Sequence, residues 1–211
     1  MPLTVGEMLT VEEMARERER LTEAGQRLVF TNGCFDILHT GHVTYLEFAR
    51  SQGDALVIGL NSDASVRRNK GPRRPINSQE DRARVLVSLR AVDYVVVFDD
   101  DEPRPIVAAI LPDVLVKGSD WAHYVSGRDV VEAHGGKVVL ADLVEGRSTT
   151  STIERIVAAY GSSPGGSEQA GRSEQAGGSE QAGRSEHAGR SEQAGRSEQA
   201  GRSEQAGRSE Q

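Results

Sequence analysis

The sequence predicts an α/β protein with a doubly wound, mostly parallel sheet of five strands, followed by a disordered, repetitive tail. Short, continuous apolar runs such as 55–60 are typical of strands buried on both faces. These runs alternate with segments of helical spacing, which favours parallel strands joined by crossover helices. From Gly165 to the end of the chain a six-residue unit, Gly-Arg-Ser-Glu-Gln-Ala, recurs with small variations, and its single apolar residue is alanine. Such a segment cannot bury enough surface to offset the entropy of ordering it.

The first two elements are marked by a helix cap and an apolar run. Thr10 and Glu13 have the spacing of a capping box, which predicts a helix over 10–23 that ends at Gly25. The apolar residues of 28–31 predict the first strand. The chain is therefore expected to enter the sheet after a helical segment.

A basic loop is predicted between the second strand and the helix that follows it. Apolar residues at helical spacing predict a helix over 43–51, and the run 55–60 predicts the second strand. The segment 67–75 carries five cationic residues and is interrupted by proline and glycine, which indicates a loop. This loop could close over phosphate groups. A helix over 78–89 follows, with Ser78 as its cap.

In the remaining part of the domain, apolar runs and helix-favouring segments alternate three more times. In chain order they are the strand 94–98, a helix after the acidic run 99–101, the strand 114–116, a helix over 130–133, the strand 137–140 and a helix over 148–160. Ligands of such sheets bind beyond the carboxyl ends of the strands. The loops after the strands are therefore expected to carry the function.

These elements divide the chain into three parts. Residues 1–26 are expected to form an N-terminal helical extension, 27–161 the main domain and 162–211 the disordered repeat tail. The six arginines and eight glutamates of the tail leave the rest of the chain with a net charge of −5, out of −7 for the whole chain. A mildly acidic domain does not favour a nucleic-acid partner, which would require a basic surface. Small substrates are expected instead.

The cysteine content and the hydropathy indicate a compartment. With one cysteine, Cys34, the chain has no internal disulfide, and this fits a reducing compartment. The N-terminus lacks a basic segment followed by an apolar stretch, and no apolar run approaches the roughly 20 residues of a membrane span. The expectation is a cytoplasmic protein without membrane contact.

Residues 31–42, Thr-Asn-Gly-Cys-Phe-Asp-Ile-Leu-His-Thr-Gly-His, stand where a strand turns into a helix. The free N–H groups and positive dipole end of a helix start attract phosphate. His39 and His42 lie at that start, and Gly41 lets a phosphate or the adjoining backbone approach closely. The imidazoles could stabilise negative charge that builds on an α-phosphate during substitution. The alternative is one capping and one packed histidine, while a zinc site lacks a nearby third ligand.

This segment carries a resemblance to a known family. The run Gly-Cys-Phe-Asp at 33–36, followed by His-Thr-Gly-His at 39–42, resembles the signature of the cytidylyltransferase-like nucleotidyltransferase superfamily. The resemblance implies a Rossmann-like fold and transfer of a nucleoside monophosphate from a nucleoside triphosphate to a phosphorylated acceptor, with release of pyrophosphate. The longer string 30–42 resembles one branch, the adenylyltransferases of ADP-heptose synthesis, which act on D-glycero-β-D-manno-heptose 1-phosphate.

Further matches to that branch extend along the chain. They are Asn61-Ser62-Asp63, Lys70-Gly71, Arg74-Pro75, Ala91-Val92-Asp93, Leu111-Pro112-Asp113, Leu115-Val116-Lys117-Gly118 with Asp120, and Ser148-Thr149-Thr150. The resemblance covers about residues 10–160.

The resemblance also implies a set of site residues. It assigns catalysis to His39, His42 and Lys70. It implies nucleotide binding by Thr31, Asn32, Gly33, Cys34, Phe35, Gly41, Gly118, Asp120, Ser148, Thr149 and Thr150. It implies substrate binding by Asp36, Arg82 and Trp121. Mg²⁺ is expected to arrive with ATP, held through the triphosphate and without a direct protein ligand.

Some of these roles leave an alternative open. Asp36 could bind Mg²⁺ through water or orient the turn by accepting backbone N–H groups. Trp121 could stack on a ligand or only cover the core. Ile153 stands where the superfamily has a phosphate-binding arginine, so either Arg147 or Arg155 would supply that charge.

The reaction that the resemblance implies is transfer of AMP from ATP to heptose 1-phosphate, which gives ADP-heptose. The alternatives are a glycerol-3-phosphate cytidylyltransferase, an FAD synthetase-like enzyme, or a nucleotide-binding scaffold without catalysis. Two-domain members carry a sugar kinase upstream, and 211 residues leave no room for one. A separate kinase is therefore expected to supply the sugar 1-phosphate. The resemblance also suggests a homodimer.

Overall fold

The computed structural model describes residues 6–142 and 146–161, which contain six parallel strands, seven α-helices and a short 3-10 helix, Ser119–Trp121. The tail predicted at 162–211 lies outside the described residues. The strands are β1 Glu7–Leu9, β2 Leu28–Gly33, β3 Ala55–Asn61, β4 Tyr94–Phe98, β5 Val114–Gly118 and β6 Lys137–Ala141. The helices are α1 Val11–Glu23, α2 Thr40–Arg50, α3 Asp63–Lys70, α4 Gln79–Val87, α5 Arg104–Ile110, α6 Arg128–Ala133 and α7 Thr149–Tyr160. Within these ranges no helix is long and apolar enough to cross a membrane.

The doubly wound parallel sheet predicted from the sequence is confirmed. Its strand order is β1-β4-β3-β2-β5-β6, and all paired neighbours are parallel. The predicted number of five strands is wrong by one, because Glu7–Leu9 adds an edge strand that pairs with β4. This strand has three residues and no buried residue, so it lacks the apolar run from which a strand is predicted. The segment 1–26, expected to be helical, thus also contributes to the sheet.

The basic segment predicted as a loop over 67–75 begins as a helix. Helix α3 starts after Ser62, whose Oγ accepts the N–H of Ser65 at 3.0 Å. Val66 is the one apolar residue that this helix buries, so the sequence lacks the periodic apolar stripe that predicts an amphipathic helix. Lys70 consequently lies at the end of a helix and not in the middle of a loop.

Helices cover both faces of the sheet. One buried cluster lies under α1, α5 and α6, and the other lies under α2 and α4. Neighbouring residues of β2 alternate between them, since Phe30 belongs to the first cluster and Val29 to the second, and both are fully buried. Burial of such side chains contributes about 1.5–3 kcal/mol each. The central strands are therefore a firmly held base for the loops at their ends.

Strand β2 lies at the point where the strand order reverses. It pairs with β3 on one side and with β5 on the other. In open parallel sheets, the crevice beyond the carboxyl ends of the strands at such a point holds ligands. Here a side chain bridges the two strand ends, since Lys117 Nζ of β5 donates to Asn32 Oδ1 of β2 over 2.7 Å.

Candidate active site

The turn after β2 has an unusual backbone that positions an aromatic ring. Phe35 has φ +44°, in the left-handed region that non-glycine residues rarely adopt. The side chain is buried, and its ring centroid lies 5.4 Å from that of His42. A Cβ at Gly33 would lie 3.0 Å from the Phe35 ring, so a larger residue there would force the ring to shift. The Phe35 ring thus makes a tilted contact with the His42 ring.

The two imidazoles predicted to be catalytic are stacked on each other. The ring centroids of His39 and His42 are 3.9 Å apart, and the planes differ by 24°. His39 occupies the N-cap position of α2, but its side chain makes no capping hydrogen bond. The Nδ1 atom of each ring is buried and has no hydrogen-bond partner among the described residues. A Cβ at Gly41 would lie 3.0 Å from the His39 ring, which explains the glycine between the histidines.

The surroundings of both rings disfavour their charged forms. Burial lowers the pKa of His42 to about 4, and the neighbouring His39 adds to this effect. Burial also lowers the pKa of His39, with a further contribution from the charge of Arg147. Both rings are therefore neutral at pH 7, and each carries one N–H donor. A bound anion would oppose these effects by stabilising the protonated rings.

Asp36 orients the loop that faces the turn. Its buried carboxylate accepts the backbone N–H groups of Ile76 and Asn77 at 2.8 and 2.9 Å, and forms an ion pair with Arg74 Nε at 2.5 Å. Burial by itself would raise the pKa of Asp36, but the N–H donors of Asn77 and Ile76 and the Arg74 charge outweigh it and lower the pKa. The N–H groups that Asp36 accepts belong to residues 76 and 77 and not to its own turn, so the carboxylate ties the turn to that loop. A direct substrate contact would compete with three existing donors.

Arg82 lies beneath the crevice and does not line it. Its guanidinium is fully buried and donates to the carbonyl oxygens of Cys34, Asn61 and Asn77 at 2.5, 2.9 and 3.1 Å. It also pairs with Asp63 at 2.8 Å. These bonds tie together the ends of β2 and β3 and the starts of α3 and α4. A direct contact of Arg82 with substrate, as expected from the resemblance, would require several of them to break.

The crevice consists of two adjoining cavities of about 610 and 680 Å³, here called the first and the second cavity. Both volumes lie in the range of about 300–1,000 Å³ that is typical of ligand pockets. The wall common to both, here called the shared wall, is formed by Asn32, Gly33, Cys34, Phe35, His42, Lys70, Lys117, Trp121 and Thr149. The first cavity adds His39, Gly41, Tyr45, Gly118, Asp120, Gly146, Arg147 and Ser148. The second adds Asp36, Asn61, Asn69, Arg74, Asp101, Glu102, Pro103, Tyr124, Ser126 and Thr150.

Most of the site residues expected from the sequence meet in this crevice. All of them except Thr31 and Arg82 line one of the two cavities. Thr31 is fully buried, and its Oγ1 shares a hydrogen bond of 2.6 Å with the hydroxyl of Tyr45. The Tyr45 hydroxyl also donates to Val116 O at 3.1 Å, and burial raises the pKa of Tyr45 to about 12. Thr31 therefore supports the crevice from below.

The start of α7 forms the other side of the first cavity. The Oγ of Ser148 caps the helix by accepting the N–H of Ser151 at 3.0 Å. The predicted helix therefore begins directly after Ser148. Of the two arginines left open for the phosphate charge, Arg147 lines the first cavity. Arg155 instead donates to groups of its own helix, Ser151 O and Thr152 Oγ1, both at 3.4 Å. The contacts therefore favour Arg147.

Lys117 is the cation of the shared wall that the sequence-based assignment left out. Besides bridging to Asn32, its Nζ lies 5.5 Å from the centroid of the Trp121 ring. Burial lowers the pKa of Lys117 to about 8, and the nearby charge of Asp120 opposes part of this shift. The signal in the sequence was a charged residue at the carboxyl end of an apolar strand, which is where parallel sheets hold ligands.

The fold and the crevice together define an enzyme that handles nucleotide phosphates at a helix start beside a topological switch point. The chain matches the model of the cytidylyltransferase-like family over residues 30–155, and it belongs to that family of nucleotidyltransferases. The resemblance drawn from the turn after β2 is thereby confirmed.

Curated relatives share more than half of their residues with this chain over the aligned region. The protein named bifunctional protein HldE from Syntrophotalea carbinolica is 58% identical over 137 residues, covering 64% of this chain and 28% of the relative. Its namesake from Geobacter sulfurreducens is 59% identical over 138 residues, 65% of this chain and 28% of the relative. The protein of that name from Mesorhizobium japonicum is 57% identical over 152 residues, which cover 72% of this chain and 31% of the relative. The chain thus spans under a third of the length of these relatives.

A solved structure supports the fold. The crystal structure of pantoate-beta-alanine ligase from Francisella tularensis, complexed with beta-gamma ATP and beta-alanine, has a TM-score of 0.51 and 14% sequence identity. The match covers 71% of this chain and 73% of the other. At this identity the likeness concerns the α/β fold alone.

Proposed function

We propose that this protein transfers AMP from ATP to D-glycero-β-D-manno-heptose 1-phosphate, releasing pyrophosphate and forming ADP-heptose. The observation that carries the proposal is the shared wall, because His42, Lys70 and Lys117 face both cavities. A nucleotide in the first cavity and a phosphorylated acceptor in the second would meet at these groups. The choice of heptose rests on the string 30–42 and on the identity to the three proteins named HldE.

The reaction is a direct in-line substitution. An oxygen of the acceptor phosphate attacks the α-phosphorus of ATP, the bond from that phosphorus to the bridging oxygen breaks, and pyrophosphate leaves. His39 and His42 donate hydrogen bonds to the α-phosphate oxygens, on which charge builds in the transition state. Both rings are held by stacking and by Phe35 before the substrate arrives. Positioning and electrostatic stabilisation therefore account for most of the rate.

The first cavity offers groups for each part of the nucleotide. Asp120 accepts hydrogen bonds from ribose hydroxyls, and the start of α7 with Arg147 holds the terminal phosphates. Within residues 6–142 and 146–161, no three His, Cys, Asp or Glu side chains cluster as metal ligands. The hydroxyls of Ser148 and Thr149 beside Arg147 suit the phosphate groups, and Mg²⁺ is expected to enter with ATP, held by the triphosphate oxygens. When bound with ATP, Mg²⁺ supplies further shielding of phosphate charge.

A substrate panel tests this function. The enzyme is incubated with ATP or CTP against heptose 1-phosphate, glycerol 3-phosphate and FMN, and pyrophosphate release is measured. We expect the highest kcat/KM with ATP and heptose 1-phosphate. A preference for CTP with glycerol 3-phosphate, or for ATP with FMN, would assign one of the alternative enzymes. ATP binding without pyrophosphate release on any acceptor would favour the non-catalytic scaffold.

The cellular context follows from the substrates. The acceptor is a phosphorylated sugar, so we propose that a sugar kinase reaction precedes this step. ATP and a reduced Cys34 both fit the cytoplasm. The homodimer suggested by the resemblance stays a prediction, which light scattering on the purified protein tests.

A further inference from the structure

The second cavity has two ends of different chemistry. At the shared wall it presents Lys70 and Lys117, and no described carboxylate lies within ion-pair distance of either. Away from that wall it is lined by the amides of Asn61 and Asn69 and by the carboxylate of Glu102. One end therefore attracts an anion, and the other end presents hydrogen-bond acceptors and donors to neutral polar groups.

Other charges around this cavity are already paired. Arg74 forms its ion pair with Asp36 at 2.5 Å. Asp101 forms one with Arg68 at 2.6 Å. The contrast between the two ends therefore depends on the two lysines and on Glu102, since the remaining charges largely neutralise one another.

Glu102 is held in position by neighbouring hydroxyl groups. Its Oε2 accepts from the hydroxyl of Tyr124 at 2.9 Å and from Ser126 Oγ at 3.0 Å. Its other oxygen, Oε1, accepts no hydrogen bond from any residue that the structure describes. Glu102 precedes α5 while the two donors precede α6, so hydroxyls from a second loop converge on this exposed carboxylate and orient it. A carboxylate fixed before binding loses little conformational freedom when a ligand donates to it.

We propose that Glu102 is a specificity-determining residue of the acceptor site, which accepts a hydroxyl group of a polyhydroxylated phosphate ester. The phosphate of this acceptor lies at Lys70 and Lys117, and its hydroxyl-bearing end points toward Glu102. This inference rests on the proposed function and deepens it, because it names the side chain that recognises a hydroxyl group of the sugar. Carboxylates and amides suit sugar hydroxyls, whereas a flat apolar acceptor would leave Glu102 without a partner.

The test compares the steady-state kinetics of Glu102→Gln with those of the wild type, by pyrophosphate release with ATP and heptose 1-phosphate. A hydrogen bond to a charged group corresponds to roughly a 10- to 100-fold change in affinity. We expect the KM for the sugar phosphate to rise by about this factor, while the KM for ATP changes by less than about twofold. Asp100→Asn is the matched control, since it removes a charge from the same acidic run outside both cavities.

Two further measurements separate recognition from mere packing. Tyr124→Phe removes one donor that positions Glu102, and we expect a smaller rise in the same KM. Sugar 1-phosphates that lack single hydroxyls identify the group that Glu102 reads. At one position of the sugar, loss of the hydroxyl should raise the KM of the wild type for the acceptor and should not raise the KM of Glu102→Gln further.

The outcomes distinguish the inference from the function on which it rests. If the wild type is active on heptose 1-phosphate but Glu102→Gln keeps its KM for that acceptor, the role of Glu102 is refuted and the function stands. If every analogue that lacks a hydroxyl raises the acceptor KM of the wild type and of Glu102→Gln by the same factor, the role of Glu102 is likewise refuted. A wild type that releases no pyrophosphate with any sugar phosphate overturns both.

Discussion

The two cavities of the crevice differ in how the chain builds them. A single segment, 31–42, supplies the base of the first cavity and both imidazoles. The far end of the second cavity is assembled from separate elements, with Asn61 at the end of β3, Asn69 in α3, Glu102 before α5 and Tyr124 before α6. A helix start with its backbone N–H groups suffices to hold phosphate, and a short contiguous motif can encode it. Hydroxyl groups require side chains that are placed one by one.

The difference indicates a division of labour. Under the proposed function, the chemistry of phosphate substitution is concentrated in one turn, while the choice of acceptor depends on residues from several separate elements. Arg82 connects the two regions, because it binds Cys34 of the first and Asn61 and Asp63 beside the second. Substitutions at Arg82, which we call the common frame, at the turn 31–42 and at the shared wall should therefore affect stability, turnover and KM respectively.

The largest effect is expected at the common frame. Replacing Arg82 by Met leaves Asp63 and the Cys34 and Asn61 carbonyls without their buried donor, which costs about 3–5 kcal/mol of folding stability. Urea denaturation followed by circular dichroism measures this loss. Arg84→Met is the control, because Arg84 is an exposed residue of the same helix. Equal stability of the two variants would mean that Arg82 does not hold the two regions together.

The next largest effect is expected in the turn, and it concerns rate and not stability. His42→Ala removes a donor from the developing charge, and loss of such donors costs about 2.7–4 kcal/mol of transition-state stabilisation. Turnover should fall by roughly 10²–10³ while the protein stays folded. Pyrophosphate release under saturating substrates measures it, with His134→Gln at the C-cap of α6 as the control. A His42→Ala variant with near-normal turnover would remove the basis of the mechanism.

The same contrast explains which parts could be predicted from the sequence. Residues 31–42 are contiguous, so their motif identifies the turn, the helix start and the two histidines without knowledge of the fold. The role of Arg82 depends on partners from several elements, and no local pattern distinguishes a buried arginine from an exposed one. The edge strand Glu7–Leu9 depends on pairing with β4, which three residues do not signal. Likewise, Glu102 gains its partners only when two distant loops converge.

A smaller effect is expected at the shared wall, where one residue should influence both substrates. Lys117→Met removes a cation that faces both cavities, so the KM values for ATP and for the acceptor should each rise by roughly 10-fold or more. In the wild type, the affinity for ATP should fall as the pH rises through about 8, because Lys117 loses its charge there. Lys137→Met, at an exposed position of β6, is the control. A change in only one of the two KM values would mean that Lys117 contacts one substrate and not both.

The smallest effect is expected from pH on the stability of the turn. The reference pKa of His42 is 6.5 and burial lowers it to about 4, so between these values the unfolded chain binds more protons than the folded protein. Folding stability should therefore decrease as the pH falls from 6.5 to 4. The lowered pKa of Asp36 acts in a more acidic window, since that carboxylate stays ionised until below its reference value of 3.8.

Urea denaturation of the wild type and of a His39→Gln, His42→Gln double variant at pH 7 and pH 5 measures the difference. The double variant should lose less stability on acidification, whereas His134→Gln should behave like the wild type. An equal loss in wild type and double variant would show that the stacked rings are not held in their neutral form.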